Sequence, residues 1–122
     1  MRGGVLWLVL GTLAACARAQ SEPSAHRPLA VRFSQAGDSV RLVLLAAPGW
    51  KINARLKPVV EAVDGRRLEF DARRLTADSA YFAEPPSVVA ADLPGGIRGT
   101  LRASVCSAGE TVCRVVTLEV GG

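Results

Sequence analysis

Residues 97–120 narrow the folds open to this chain more than any other stretch. Two runs, IRGTLRASVC and CRVVTLEV, flank a short connection, and each alternates in side-chain character. A period of two is the mark of a half-buried β-strand, because successive side chains point to opposite faces. In the first run Ile97, Leu101, Ala103 and Val105 share one face, while Arg98, Thr100, Arg102, Ser104 and Cys106 share the other. In the second, Val116, Leu118 and Val120 oppose a face made of Cys113, Val115, Thr117 and Glu119. Setting Cys106 opposite Cys113 pairs Leu101 with Leu118 and Ala103 with Val116. On the reverse face it pairs Ser104 with Val115, Arg102 with Thr117 and Thr100 with Glu119. Burial selects a register that matches apolar with apolar. Opposed residues have Cα atoms about 4.5–5.5 Å apart, inside the disulfide range of about 4.4–6.8 Å. Both sulfurs are then expected on the more polar face, near the mouth of the hairpin.

Such a bond has two readings, and the residues leave both open. As a staple, it closes a loop of about eight residues, worth ~2.5 kcal/mol on chain entropy. As a reactive pair, a cross-strand bond at an exposed hairpin mouth is open to attack by a thiolate. Arg114 beside Cys113, and Arg102 on the face of Cys106, supply positive charge of the kind that favours thiolates.

The rest of the chain is β in character from Leu29 onward. Short runs of Val, Leu and Thr predict strands near 29–34, 39–46, 57–63, 67–71 and 86–92, besides 97–106 and 113–120. Turns are expected at Ala36-Gly37-Asp38, Pro48-Gly49, Asp64-Gly65 and Pro94-Gly95-Gly96. Asp64-Gly65, between VVEAV and RRLEF, reads as a tight primed hairpin turn. Residues 72–85 read as a long connection with room for one helical turn. About seven short strands spaced this way predict an all-β domain, an antiparallel β-sandwich of immunoglobulin-like type over 29–122. Trp50, after Pro48-Gly49, is expected to anchor its core.

The first residues predict export. Arg2, an apolar run from Val5 to Ala15 and small residues at its end form a secretory signal helix. The run is roughly a dozen residues, short of the roughly 20 that span a bilayer. Leu13-Ala14-Ala15-Cys16 resembles the lipobox of bacterial lipoproteins, which implies cleavage before Cys16 and a lipid on its sulfur. The alternative is an ordinary exit at Ala17-Arg18-Ala19, with cleavage before Gln20. Lipidation of Cys16 accounts for the odd one of three cysteines and leaves a pair in an oxidising compartment. On this reading 1–15 is a lipoprotein signal peptide and 16–28 a lipidated, flexible tether. The protein is then held at the periplasmic face of a membrane, the outer one by the sorting implied by Ala17.

The formal net charge is +4, with the basic residues scattered among acidic ones. Nucleic-acid binding calls for a clustered basic stripe, so no such partner is expected. The single histidine, His26, falls in the tether, and two cysteines without companions do not complete a zinc site. No metal and no cofactor are expected, and no hydrolase nucleophile motif or phosphate loop is present.

Taken together, APGWKIN (Ala47 to Asn53), the strand-rich middle, and VCSAGETVC followed by RVVTLEV resemble a known family. It is that of the N-terminal periplasmic domain of the thiol–disulfide interchange protein DsbD and the related disulphide bond corrector domains. The resemblance covers about residues 38–120. It implies an immunoglobulin-like sandwich and a cysteine pair, here Cys106 and Cys113, that passes electrons to periplasmic thioredoxin-like proteins. The spacing of the pair is slightly wider than is common in the family, and Arg114-Val115-Val116 stands where prolines commonly follow. The other reading is a non-catalytic binding or scaffold lipoprotein whose disulfide is structural.

Overall fold

The computed structural model describes residues 22–23, 27–107, 109 and 112–121. The expected signal segment, Cys16, His26 and most of the tether lie outside the described residues. Eight strands follow in order: β1 (Leu29–Ala36), β2 (Ser39–Ala46), β3 (Trp50–Ile52), β4 (Val59–Ala62), β5 (Arg67–Glu69), β6 (Ser87–Ala91), β7 (Arg98–Ser107) and β8 (Cys113–Gly121). They form two antiparallel sheets, a small one ordered β1-β2-β6 and a large one built around β7. No helix occurs among the described residues, so residues 72–85 do not form the helical turn for which they had room. The protein is an all-β sandwich, as the alternation predicts, with one strand more than expected.

The longest strand, β7, organises the large sheet. One side of it pairs with β8 throughout, and the other is shared by β4 at Gly99–Arg102 and β3 at Val105–Ser107. Sharing demands close approach at Gly99, which pairs with Ala62. A Cβ there would run into the Glu61 carbonyl oxygen and lie 2.8 Å from Ala62 Cα. Only glycine fits.

Leu42 and Leu44 of the small sheet meet Val60, Leu101 and Val105 of the large one in the interior, with Phe70 closing the cluster. Each fully buried side chain of this kind contributes ~1.5–3 kcal/mol. The apolar face read from the last two strands is therefore the core face.

The turns follow their chemistry, with one correction. Gly37, with φ 63°, leads the two-residue β1–β2 connection, as a type II′ turn requires. Pro48-Gly49 turns the chain into β3, where the Trp50 N–H donates to the Ala47 carbonyl at 3.0 Å. The β4–β5 hairpin is not the tight primed turn expected at Asp64-Gly65. Glu61 pairs with Arg67 and the Ala62 N–H bonds to the Arg66 carbonyl, leaving a three-residue loop. Gly65 alone takes positive φ, 93°, the bulge position of such loops. Asp64 instead accepts from the Arg66 backbone N–H and from its guanidinium, which holds the loop's exit.

Candidate functional site

The sulfurs of Cys106 and Cys113 are bonded. The surrounding register is the one the sequence predicts: Cys106↔Cys113, Ser104↔Val115, Ala103↔Val116, Arg102↔Thr117, Leu101↔Leu118 and Thr100↔Glu119. The Ser107 N–H bonds to the Val112 carbonyl. Because bonded and non-bonded pairs alternate along an antiparallel ladder, Cys106–Cys113 is a non-hydrogen-bonded pair, the closer of the two kinds. Its Cα atoms are 4.0 Å apart, closer than expected.

The two cysteines differ sharply in exposure. Both lie on the outer face of the large sheet, as expected, yet Cys106 is only 2% exposed whereas Cys113 is open to solvent. Topology explains the difference. Cys106 sits on the central strand, between Lys51 of β3 and Cys113 of β8. Cys113 sits on β8, which among the described residues pairs with β7 alone and so forms an edge of the sheet. Exposed Val112 and Val115, 62% and 63% accessible, flank it. Cys113 is therefore the accessible residue of the pair, and Cys106 is the shielded one.

The arginines fall differently from the sequence reading. Arg114 pairs with Val105, so it leaves the sheet on the core face, opposite to the sulfurs. Its guanidinium lies 4.7 Å from the centre of the Trp50 ring. Trp50, partly buried against the core cluster, reaches across the end of β7 to meet it, so that indole and guanidinium together cap that end of the interior. Arg114 thus does not serve a thiolate. Arg102 is on the right face, but four residues from Cys106 along the strand, roughly 13 Å.

The cation beside the pair is Lys51, which the sequence reading missed. It is the register partner of Cys106, and its ammonium rests 5.2 Å from the centre of the Tyr81 ring. Tyr81 comes from the 72–85 connection, whose Asn53↔Tyr81 bridge runs along the outer edge of β3. Lys51, Asn53, Ser104, Cys106 and Cys113 therefore share one face at one end of the sheet. Lys51 was legible only in retrospect: a lysine within APGWKIN signals nothing until the strand is known to lie beside β7.

Among the described residues no group of three or more His, Cys, Asp or Glu is placed to hold a metal ion. Comparison with protein-family models, with curated proteins and with solved structures finds no match to the chain.

Proposed function

We propose that the protein is a periplasmic lipoprotein, anchored through Cys16, whose sandwich exchanges disulfides with a thioredoxin-like partner through Cys106 and Cys113. The observation that carries this reading is the asymmetry of the pair: a bonded disulfide with one sulfur-bearing residue open on an edge strand and the other shielded on the central strand. Exchange proceeds by thiolate attack on a disulfide sulfur, and access decides which sulfur is taken. A partner thiolate attacks Cys113 Sγ, the Cys106–Cys113 bond breaks, and its electron pair leaves on Cys106 Sγ. The partner's second thiolate then attacks its own sulfur in the mixed disulfide and releases Cys113 as thiolate. Two electrons have passed to this domain, and the partner holds the disulfide. Run backwards, the same steps reduce an oxidised partner. The resemblance in APGWKIN and VCSAGETVC supports that direction.

A second reading, a scaffold lipoprotein with a structural staple, draws on the burial of Cys106. The discriminating experiment is trapping. A Cys106→Ser variant keeps Cys113 as the sole thiol of the hairpin, so its thiolate should displace thionitrobenzoate from a thioredoxin-like protein whose one remaining active-site cysteine carries that group as a disulfide, leaving a mixed disulfide that nothing resolves. No adduct, at concentrations where a comparable substrate is captured, favours the staple. The anchor has a separate test: palmitate labelling should disappear in Cys16→Ala, and label that persists refutes lipidation at that residue.

A further inference from the structure

Cys106 lies among neighbours that constrain what its sulfur can become. At 2% exposure, a thiolate there has little water to solvate it. A buried charge without a partner is costly, and burial among apolar groups pushes a thiol pKa up. Release of Cys106 as a leaving group therefore calls for a cation close by. Arg114 is on the other face and stacked on Trp50, and Arg102 is too far along β7.

Lys51 has the right placement. Cross-strand partners leave a sheet on the same side, so the Lys51 and Cys106 side chains rise together from the outer face. The Asn53 N–H bonds to the Ser104 carbonyl. That sets the phase of the ladder and makes Lys51–Cys106 a hydrogen-bonded pair, with Cα atoms about 5.5 Å apart. In the oxidised protein the ammonium rests on the Tyr81 ring instead, since a disulfide offers it no charge. An exposed cation–π contact is a weak hold, and the four-carbon stem of lysine is flexible.

We propose that Lys51 is the counter-charge of the Cys106 thiolate, leaving the Tyr81 ring for the sulfur when the disulfide opens. The inference rests on the exchange reading above. When a thiolate of a dithiol reductant bonds to Cys113 Sγ, the electron pair of the old bond leaves on Cys106 Sγ. The Lys51 side chain pairs with it, and no proton moves in that step. The titratable and charged groups facing Cys106 on this side are Lys51 from β3, Tyr81 from the 72–85 connection, Cys113 from β8 and, further along β7, Arg102. Glu110 of the hairpin loop lies outside the described residues.

The experiment needs no partner protein. In full-length Cys113→Ser, Cys106 is the hairpin's only thiol, and its thiolate absorbance is followed against pH. Adding Lys51→Met should lower the thiolate fraction below the midpoint about tenfold, one pKa unit. Lys51→Arg should preserve it, and Tyr81→Leu, which frees the amine, should raise it. A Lys51→Met titration within about twofold of its parent overturns the proposal. Should Cys113→Ser fail to fold, the intact pair is equilibrated with glutathione at a pH where its thiolate is populated. Lys51→Met then shifts the equilibrium about tenfold toward the disulfide, and an unmoved equilibrium overturns the proposal. Exchange without Lys51 coupling removes this role alone; coupling without exchange removes the proposed function alone.

Discussion

Replacing either cysteine of the hairpin by alanine opens the same loop, whose ends are seven residues apart in sequence. The freedom returned to the unfolded chain is therefore common to both variants, ~2.5 kcal/mol on the loop-entropy relation. What differs is the folded state. Cys113 is exposed, and trimming it to alanine costs little beyond the loop. Cys106 is 2% exposed on the central strand. Removing its sulfur leaves a void of about methylene size, a further ~1 kcal/mol. The expected losses are thus ~2.5 kcal/mol for Cys113→Ala and ~3.5 kcal/mol for Cys106→Ala. In a domain of this size that is roughly 10–20 °C in Tm for the first and about 4–8 °C more for the second. Urea unfolding without reductant measures both. Its slope should rise equally in the two variants, since an uncrosslinked chain exposes more surface, and reduced wild type should resemble Cys113→Ala. Equal losses, or a larger loss for Cys113→Ala, would refute the burial asymmetry on which the site is built.

Other substitutions probe the frame around the site. Gly99→Ala drives a Cβ into the backbone of β4 and should cost about 1–3 kcal/mol in the same assay; an unchanged midpoint contradicts the close approach of β4 and β7. Arg114→Ala removes the stack on Trp50, with an expected loss of ~0.5–1 kcal/mol and a change in Trp50 emission that Trp50→Phe abolishes. Stability should also fall at both ends of the pH range. The Arg66 backbone N–H holds the Asp64 carboxyl below its ordinary pKa, the Lys57 ammonium does so for Asp71, and the Thr76 hydroxyl for Asp78. Groups depressed in this way stabilise above the ordinary Asp pKa, and the contribution is lost as pH falls through the folded value. Lys57 is raised by its bond to Asp71, so its contribution is present below the ordinary Lys pKa and lost as pH rises through the folded value. Asp71→Asn should blunt both limbs of a midpoint-against-pH curve, and an unaltered curve would contradict the Lys57–Asp71 pairing at 3.0 Å.

The last hairpin was legible because its information is local. Leu101, Ala103 and Val105, with Val116 and Leu118, show which face of each strand turns inward, and the register that sets Leu101 against Leu118 and Ala103 against Val116 also brings the sulfurs together. The burial of Cys106 was not legible, because it depends on β3, which lies far away in sequence and is only three residues long. Trp50, Lys51 and Ile52 are too few to show a period, so neither the strand nor the lysine it sets beside the sulfur could be read from pattern. Arg114 misled for a related reason: adjacency in sequence places a residue on the opposite face of a strand, and the Trp50 ring claims its guanidinium there. Asp64-Gly65 marked its hairpin correctly but not the loop length, because Gly65 alone takes positive φ.

The reduction potential of the Cys106–Cys113 pair tests the proposed exchange most directly. A pair that trades electrons with thioredoxin-like proteins should lie above about −300 mV, within reach of their dithiols. A potential well below about −300 mV would mark the bond as a permanent staple and contradict the exchange reading.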